Sequence, residues 1–299
     1  MKRTIAILAG DGIGPEVMSQ AVRVLRAIDV NEQLELQPAM IGGCAYEKYG
    51  KHYPEETDQI CQQAQAILFG SVGGPIDQTH LAKWQQCETH SILALRKRFE
   101  LSINVRPAKL YPTLVELSPL NSKLINQGID IMIIRELVGD IYFGEHKQFI
   151  NNHQRHAFDA CEYNETQIKR AAHFAFTAAK QRRKKVTSID KANVLATSKL
   201  WRSIVDEVAE DYPDIHYEHM LVDNCAMQLI LNPKQFDVMV TANLFGDILS
   251  DQASAIPGSL GLMPSASFNQ DGFGLYEPSG GSAPDIAEKN IANPIGQIL

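Results

Sequence analysis

Residues 4–16 read TIAILAGDGIGPE, and the fold turns on how this stretch is read. Thr4 to Ala9 have the apolar character of a first strand. Pro15 then stands where a helix can begin, since the N–H it lacks has no partner in a first helical turn. Val17, Ala21, Val24, Leu25 and Ile28 continue at helical spacing. A strand, a glycine-rich turn and a helix invite a dinucleotide-binding reading, but the fingerprint fails. Counted from Gly10, the third glycine of G-x-G-x-x-G falls on Pro15. The acid expected at the end of a second strand is missing as well. The stretch predicts a tight turn whose amides can approach a ligand, in a fold that is not a Rossmann fold.

The rest of the chain alternates in the same way. Strand-like runs fall at 34–41, 66–70, 129–134, 186–189, 215–222, 236–241 and 272–277, with an extended stretch at 102–107. Helical patterns fall at 55–64, 88–98 and 165–183, around Trp201 and Val205, and around Met227 and Ile230. This alternation predicts an α/β layout with a mostly parallel sheet. IDIMII, residues 129–134, is apolar almost throughout, as a strand buried on both faces must be. PGSLGLMPSAS, residues 257–267, reads as a Gly/Pro/Ser loop.

Bulk properties narrow the function classes. The 299 residues are 44% hydrophobic and 21% charged. That is the composition of an ordinary globular protein. A net charge of −7 argues against a nucleic-acid binder, and QRRKK at 181–185 reads as a solvated helix end. No apolar run is long enough to cross a membrane, and TIAILAG is too short for a signal sequence, so a cytoplasmic protein is expected. The five cysteines, Cys44, Cys61, Cys87, Cys161 and Cys225, lack CxxC spacing and read as reduced thiols without catalytic roles.

Chemistry first shows in NLFGDILSD, residues 243–251. If a helix begins after Gly246, Asp247 and Asp251 share one face, four residues apart. Two such oxygen ligands suit Mg²⁺ or Mn²⁺, although two solvated acids near a helix start give the same pattern. Other residues point to the same place. Ligands of open α/β sheets bind outside the carboxyl ends of the strands. Arg135, Lys191, Asp223 and Asp247 each follow a predicted strand. Arg96, Arg106 and Arg135 offer bidentate forks for carboxylates. Together they predict a site for an anionic substrate with a cation.

GDGIGPE, LRK with NVRPAK, RELVGDIYFGE, DKANVL, NLFGDILSD, PGSLGLMPSAS and YEPSGGSAPDIA-x-K-NIANP, in this order from residue 4 to residue 299, resemble the β-decarboxylating dehydrogenases of the isocitrate/isopropylmalate dehydrogenase family. The resemblance implies a two-domain α/β fold with a nucleotide site of its own kind. Residues 1–101 plus 258–299 would form the first domain, and 102–257 the second, which carries a homodimer interface. It implies NAD and Mg²⁺ or Mn²⁺ as cofactors, with each active site shared by two subunits. Lys191 and Asp223 would reach into the site from the partner subunit, beside the home Asp247 and Asp251. Lys191 would be the base for the 2-hydroxyl, Asp223, Asp247 and Asp251 the metal ligands, and Tyr142 the acid that protonates the enol carbon. Arg96, Arg106 and Arg135 would hold the substrate's two carboxylates.

The implied substrate is (2R,3S)-3-isopropylmalate, oxidised and decarboxylated to 4-methyl-2-oxopentanoate and CO₂ in leucine biosynthesis. Tartrate or D-malate dehydrogenase, or an inactive remnant, are the alternatives. Ile92 and Leu93, before Arg96, offer apolar surface where isocitrate enzymes present polar groups, and Val194 would add to it from the partner. Ile92 and Leu93 could equally serve to pack their helix. Asp285 would accept hydrogen bonds from ribose hydroxyls and repel a 2′-phosphate, which favours NAD. Ile13, Gly261 and Asn293 would line the nucleotide, with Gly280, Ser282 and Ala283 from the Ser-Gly-Gly loop. Measured against this family, the chain is expected to lack roughly 60 C-terminal residues, exposing apolar surface on the first domain and lowering stability.

Overall fold

The computed structural model describes residues 2–125 and 128–299. It divides into two compact units, Met1–Leu101 with Ser259–Leu299, and Ser102–Gly258.

The first unit opens with β1 (Arg3–Gly10), α1 (Gly14–Ile28), β2 (Leu34–Pro38), α2 (Gly43–Tyr49), α3 (Glu55–Gln63) and β3 (Ala66–Ser71). A π-helical turn, Thr89–Leu93, then runs into α4 (Ala94–Arg98). The second unit holds β4 (Ile103–Leu110), α5 (Ser122–Ile125), β5 (Ile129–Glu136), β6 (His146–Asn151), β7 (Gln154–Asp159), α6 (Glu165–Lys180), β8 (Lys185–Asp190), α7 (Ala196–Ala209), β9 (His216–Leu221), α8 (Val222–Leu231), β10 (Val238–Thr241) and α9 (Asn243–Ser254). The chain then returns to the first unit with β11 (Pro264–Phe268), β12 (Gly274–Pro278) and α10 (Ile295–Ile298).

In the first unit the strands lie in the order β2-β1-β3-β12-β11. All pairs are parallel except β11 with β12. In the second the order is β4-β5-β10-β8-β9, parallel except for β4 with β5. The α/β architecture and mostly parallel pairing expected from the sequence are therefore present. Because the parallel strands run together, their carboxyl ends share one edge in each unit, and the candidate residues cluster there.

Strand sequence follows burial. Ala6, Leu8, Ile67 and Leu275 in the first unit, and Ile131, Ile133, Val186 and Val240 in the second, are wholly buried. Amphipathic helices cover them. From α6 come Ile168, Ala172, Ala175 and Phe176, and from α7 Trp201, Ile204 and Val205, all packed into one core with Ile134 and Val238. Burying each large side chain of this kind contributes roughly 1.5–3 kcal/mol. Trp201 also satisfies its indole N–H on the Ser188 hydroxyl at 3.2 Å. In the turn after β1, glycine is obligatory twice, because only glycine adopts a left-handed backbone freely. Gly10 and Gly12 have φ of +72° and +59°, and a Cβ would sit 1.9 Å from the Ser71 carbonyl oxygen or 2.0 Å from that of Ser282.

Several elements differ from the sequence reading. Helix α9 begins at Asn243, not after Gly246, because its first amides are met by distant groups. The Tyr163 hydroxyl accepts from Asn243 N at 2.9 Å, and Asp140 Oδ2 from Leu244 N at 3.0 Å. Helix α6 stops at Lys180, and Arg182 folds back to ion-pair with Asp130 at 2.7 Å and Asp237 at 2.9 Å. Part of the basic run is thus a buried-side anchor. Val222 opens α8, which puts Asp223 in that helix's first turn. Residues 264–268, read as loop, form β11, and 43–49 form α2. Strands β6 and β7 pair as an antiparallel hairpin whose residues are all exposed.

Candidate active site

The second unit gathers one cluster around Arg135. This guanidinium, 2% exposed, leaves the end of β5 and meets α9. Its Nη1 ion-pairs with Asp247 Oδ1, and its Nε donates to Asn243 Oδ1 at 2.8 Å. The Tyr142 ring lies beneath it, with 5.4 Å between the ring centre and the guanidinium carbon. That is within the range of a cation–π attraction. Tyr142 donates its hydroxyl proton to Asp247 Oδ2 at 2.7 Å. Burial and then the Asp247 carboxylate push the Tyr142 phenol up to about 12, so it stays a proton donor at neutral pH.

Arg106, from β4, reaches the same carboxylates. Its Nη1 donates to Ser250 Oγ at 2.7 Å and to Asp251 Oδ1 at 3.3 Å, and lies 3.7 Å from Asp247 Oδ1. Asn104 Oδ1 accepts from its Nε at 2.9 Å and sets the plane of the fork. Asp247 and Asp251 thus share one face of α9, one turn apart, against a common guanidinium. Desolvation and the Asp247 charge raise the Asp251 carboxyl, while Arg106 opposes them. Arg135 opposes them too, so desolvation is the cause that carries the shift.

Lys191 and Asp223 form a separate pair at the ends of β8 and β9. Lys191 Nζ ion-pairs with Asp223 Oδ1, and this contact holds the Asp223 carboxyl below the usual range. The Lys191 backbone N–H donates to Ser198 Oγ at 3.0 Å. Asp190, 1% exposed, accepts both Arg202 Nε and Nη2 at 2.9 Å and the Ala192 amide at 2.8 Å, fixing the turn that presents Lys191. Val194 is 65% exposed on the same turn.

The three proposed ligands do not converge within the chain. Among the described residues there is no group of three or more His, Cys, Asp or Glu placed to hold a metal ion. Asp247 and Asp251 nevertheless fit one half of a hard divalent site: two carboxylates on one face of α9, one turn apart, both partly open to solvent.

In the first unit Arg96 is 8% exposed, and its Nη2 pairs with Glu277 Oε1 at 3.1 Å, while its Nε is buried with no hydrogen-bond partner among the described residues. Ile92 lies in the hydrophobic core of this unit, and Leu93 packs against that core half-buried. The expected nucleotide residues meet at the carboxyl edge. Ile13 N donates to the Ser282 carbonyl at 2.8 Å, and Gly261 lies against Asn293, where a Cβ would approach the Asn293 Cβ to 2.8 Å. Gly280 has φ +134° and Ala283 φ +39°, so this loop is tightly turned. Asp285 is exposed in the short 3₁₀ turn Pro284–Ile286 that follows it.

The residues that orient these groups escape a reading of the sequence. Asn243, Asn104, Ser250 and Ser198 each hold a predicted residue by one hydrogen bond, and Asp140 and Glu136 hold the turn that carries Tyr142. Asn243 stands inside the quoted NLFGDILSD, so its position is visible there although its role is not.

Comparison with known proteins gives this arrangement a family. The family model described as isocitrate/isopropylmalate dehydrogenase matches residues 4–299. The chain is 54% identical over 298 residues to a 3-isopropylmalate dehydrogenase of Colwellia psychrerythraea, covering 99% of this chain and 82% of that protein. It is 53% identical, with the same coverage, to one from Escherichia coli strain K12. Among solved structures, an isocitrate dehydrogenase from Methylococcus capsulatus superposes with a TM-score of 0.87 at 33% identity, over 99% of this chain and 83% of that one. The chain belongs to the isocitrate/isopropylmalate dehydrogenase family.

Proposed function

We propose that the protein is an NAD-dependent, divalent-metal-requiring dehydrogenase that oxidises and decarboxylates (2R,3S)-3-isopropylmalate to 4-methyl-2-oxopentanoate. The observation that carries this reading is the convergence of Arg106, Arg135, Tyr142, Asp247 and Asp251. Two guanidiniums and two carboxylates in one place recognise an acidic substrate and a cation at once. The names of the relatives supply the substrate.

When bound, NAD would accept the hydride, and Mg²⁺ or Mn²⁺ held by Asp247, Asp251 and Asp223 would act as a Lewis acid on the substrate oxygen. The chain's own residues do the rest. Arg106 and Arg135 exchange their present partners for substrate carboxylates. Lys191 takes the 2-hydroxyl proton, with Asp223 as its ion-pair partner. After CO₂ leaves, Tyr142 donates its proton to the carbon that carried the carboxylate. Arg96 is the remaining candidate for a substrate carboxylate. Of Ile92 and Leu93, the half-buried Leu93 has more surface to offer an isopropyl group. Ile13, Gly261, Gly280, Ser282, Ala283, Asp285 and Asn293 are the proposed nucleotide contacts, and the acid at Asp285 favours NAD over NADP.

The proposal includes a homodimer. Met227, Ile230 and Leu231 on α8 and Ile248 on α9 are 55%, 52%, 61% and 58% exposed. An apolar face of this kind suits a second copy. Asp223 does not reach Asp247 and Asp251 within one chain, which supports a site completed by the partner's Asp223. NADH formation from 3-isopropylmalate, D-malate, tartrate and isocitrate with Mn²⁺ tests the reading, beside sedimentation across a dilution series. The 3-isopropylmalate rate should lead. A faster D-malate or tartrate rate moves the assignment to those sister activities, and activity that stays constant in a strictly monomeric sample removes the shared site.

A further inference from the structure

We propose that Glu136 is a positioning residue for this reaction: its carboxylate fixes the turn that carries Tyr142 and, through Tyr163 and Asn243, sets the direction of Arg135. The inference rests on reading Arg135, Tyr142 and Asp247 as reacting groups. Arg135 and Glu136 are neighbours at the end of β5, so their side chains leave on opposite faces. Arg135 turns to Asp247, and Glu136 turns under the following loop.

Glu136 is fully buried. Its Oε1 accepts from Val138 N at 3.0 Å and its Oε2 from Gly139 N at 2.8 Å. The Tyr163 hydroxyl is its third partner. That hydroxyl also accepts from Asn243 N at 2.9 Å, which links Glu136 to the first turn of α9. The Asn243 side chain is fixed from both ends: Nδ2 donates to the Gly139 carbonyl at 3.1 Å, and Oδ1 receives Arg135 Nε at 2.8 Å. Glu136 therefore reaches Asn243 by two routes, through Tyr163 to its backbone N–H and through Gly139 to its side-chain amide, and Asn243 in turn receives Arg135. Asp140 closes the ring, accepting from Ile141 N at 2.8 Å and Leu244 N at 3.0 Å.

A proton on Glu136 would break this order, since a carboxylic acid turns one acceptor into a donor aimed at donors. Burial pushes the Glu136 carboxyl up to about 7, against the pull of the Val138 and Gly139 amides and Tyr163. Among the described residues, the titratable and charged groups facing it are few. Arg170 comes from α6, Tyr163 from the segment before α6, and Asp140 from the turn, felt through Tyr163. Strand β4 places apolar Ile103 beside it, and α9 presents the neutral Asn243. A cleft of about 300 Å³ lined by Val138, Gly139, Asp140, Tyr163 and Gln167 brings solvent up to the network.

The test compares Glu136→Gln and Tyr163→Phe with the parent chain by amide hydrogen exchange and by kcat and KM for 3-isopropylmalate from about pH 5.5 to 9. In Glu136→Gln, exchange at the amides of 138–144 and 243–246 should quicken at least about tenfold. Its kcat should fall about tenfold at high pH, and the parent's rise in kcat near pH 7 should vanish. In Tyr163→Phe only the amides at the start of α9 should quicken, and this variant decides if the first does not fold. Unchanged exchange in both variants, or a rise near pH 7 that survives Glu136→Gln, overturns the proposal. A parent chain inert toward every 2-hydroxy diacid would overturn the functional reading instead, while the exchange data still decide the role of Glu136.

Discussion

Replacing Gly246 by alanine tests how tightly α9 is seated on β5. In an exposed helix this change stabilises by about 0.5–1 kcal/mol, because glycine loses more backbone entropy on folding. Here an added Cβ would stand 2.7 Å from Arg135 Cγ, 2.8 Å from Arg135 Cβ and 3.0 Å from Thr241 Cγ2. Favourable carbon contacts lie near roughly 3.5–4.0 Å, so something must move by about 1 Å. Arg135 cannot yield. Its Cβ is tied to a strand paired on both sides, with β4 and with β10. The helix must lift instead, at a cost of roughly 1–3 kcal/mol. The two effects together give an expected net loss of about 1–2 kcal/mol in urea unfolding. Because Asp247 is the next residue, its ion pair with Arg135 and its hydrogen bond from Tyr142 shift too. A roughly tenfold fall in kcat/KM, equivalent to about 1.4 kcal/mol, should follow in an NADH-absorbance assay. A variant that is more stable by about 1 kcal/mol and retains full kcat/KM would refute the reasoning.

Three further outcomes are expected. Asp251→Asn should weaken Mn²⁺ binding at least about tenfold in a calorimetric titration. It should leave the unfolding midpoint nearly unchanged, because the side chain is 64% exposed; unchanged Mn²⁺ affinity removes Asp251 from the metal site. Tyr142→Phe should lower kcat about a hundredfold with a smaller effect on KM, and a near-normal kcat would assign the final proton to another group. Stability should also report Glu136. Its folded carboxyl titrates at about 7 against 4.5 for the free side chain, so its ionisation opposes folding. Its contribution therefore grows more favourable as pH falls from above the folded value toward the free one, by up to roughly 3 kcal/mol. Glu136→Gln should flatten the pH dependence of unfolding free energy across that window, and an unaltered slope would place the titration elsewhere.

What the sequence disclosed followed from strong periodic signals. Buried parallel strands such as IDIMII cannot be mistaken for solvent-facing ones, and charges placed after them marked the edge where Arg135, Lys191 and Asp247 now stand. The four-residue spacing of Asp247 and Asp251 was enough to put both on one helical face. Where the reading fell short, the deciding partner lay far away in sequence. Helix α9 starts ahead of Gly246 because Tyr163 and Asp140, far upstream, satisfy its first amides. Strand β11 hides in a Gly/Pro/Ser stretch because its pairing with β12, not its propensity, makes it a strand. The β6–β7 hairpin left no alternating pattern because both of its faces are exposed. Lys191 and Asp223 were expected to reach the site from the partner subunit, and within the chain they pair with each other, apart from Asp247 and Asp251.

The strand order of the first unit has a consequence for how the protein is made. β12, which lies between β3 and β11, is drawn from residues 274–278, after the whole second unit. Its register pairs Gly274 with Ala66. Closing a flexible loop of that span would cost roughly 5 kcal/mol of chain entropy. Yet the intervening segment is itself a compact unit with its own core, so by the time β12 leaves the ribosome much of that loop has already condensed. Until then β3 is a bare parallel edge built from Ala-Ile-Leu-Phe, the sort of surface nascent chains shield with chaperones. Translation thus imposes an order, second unit before first. Slowing the ribosome between residues 102 and 258 should prolong the life of that exposed edge, and aggregation during synthesis should rise accordingly.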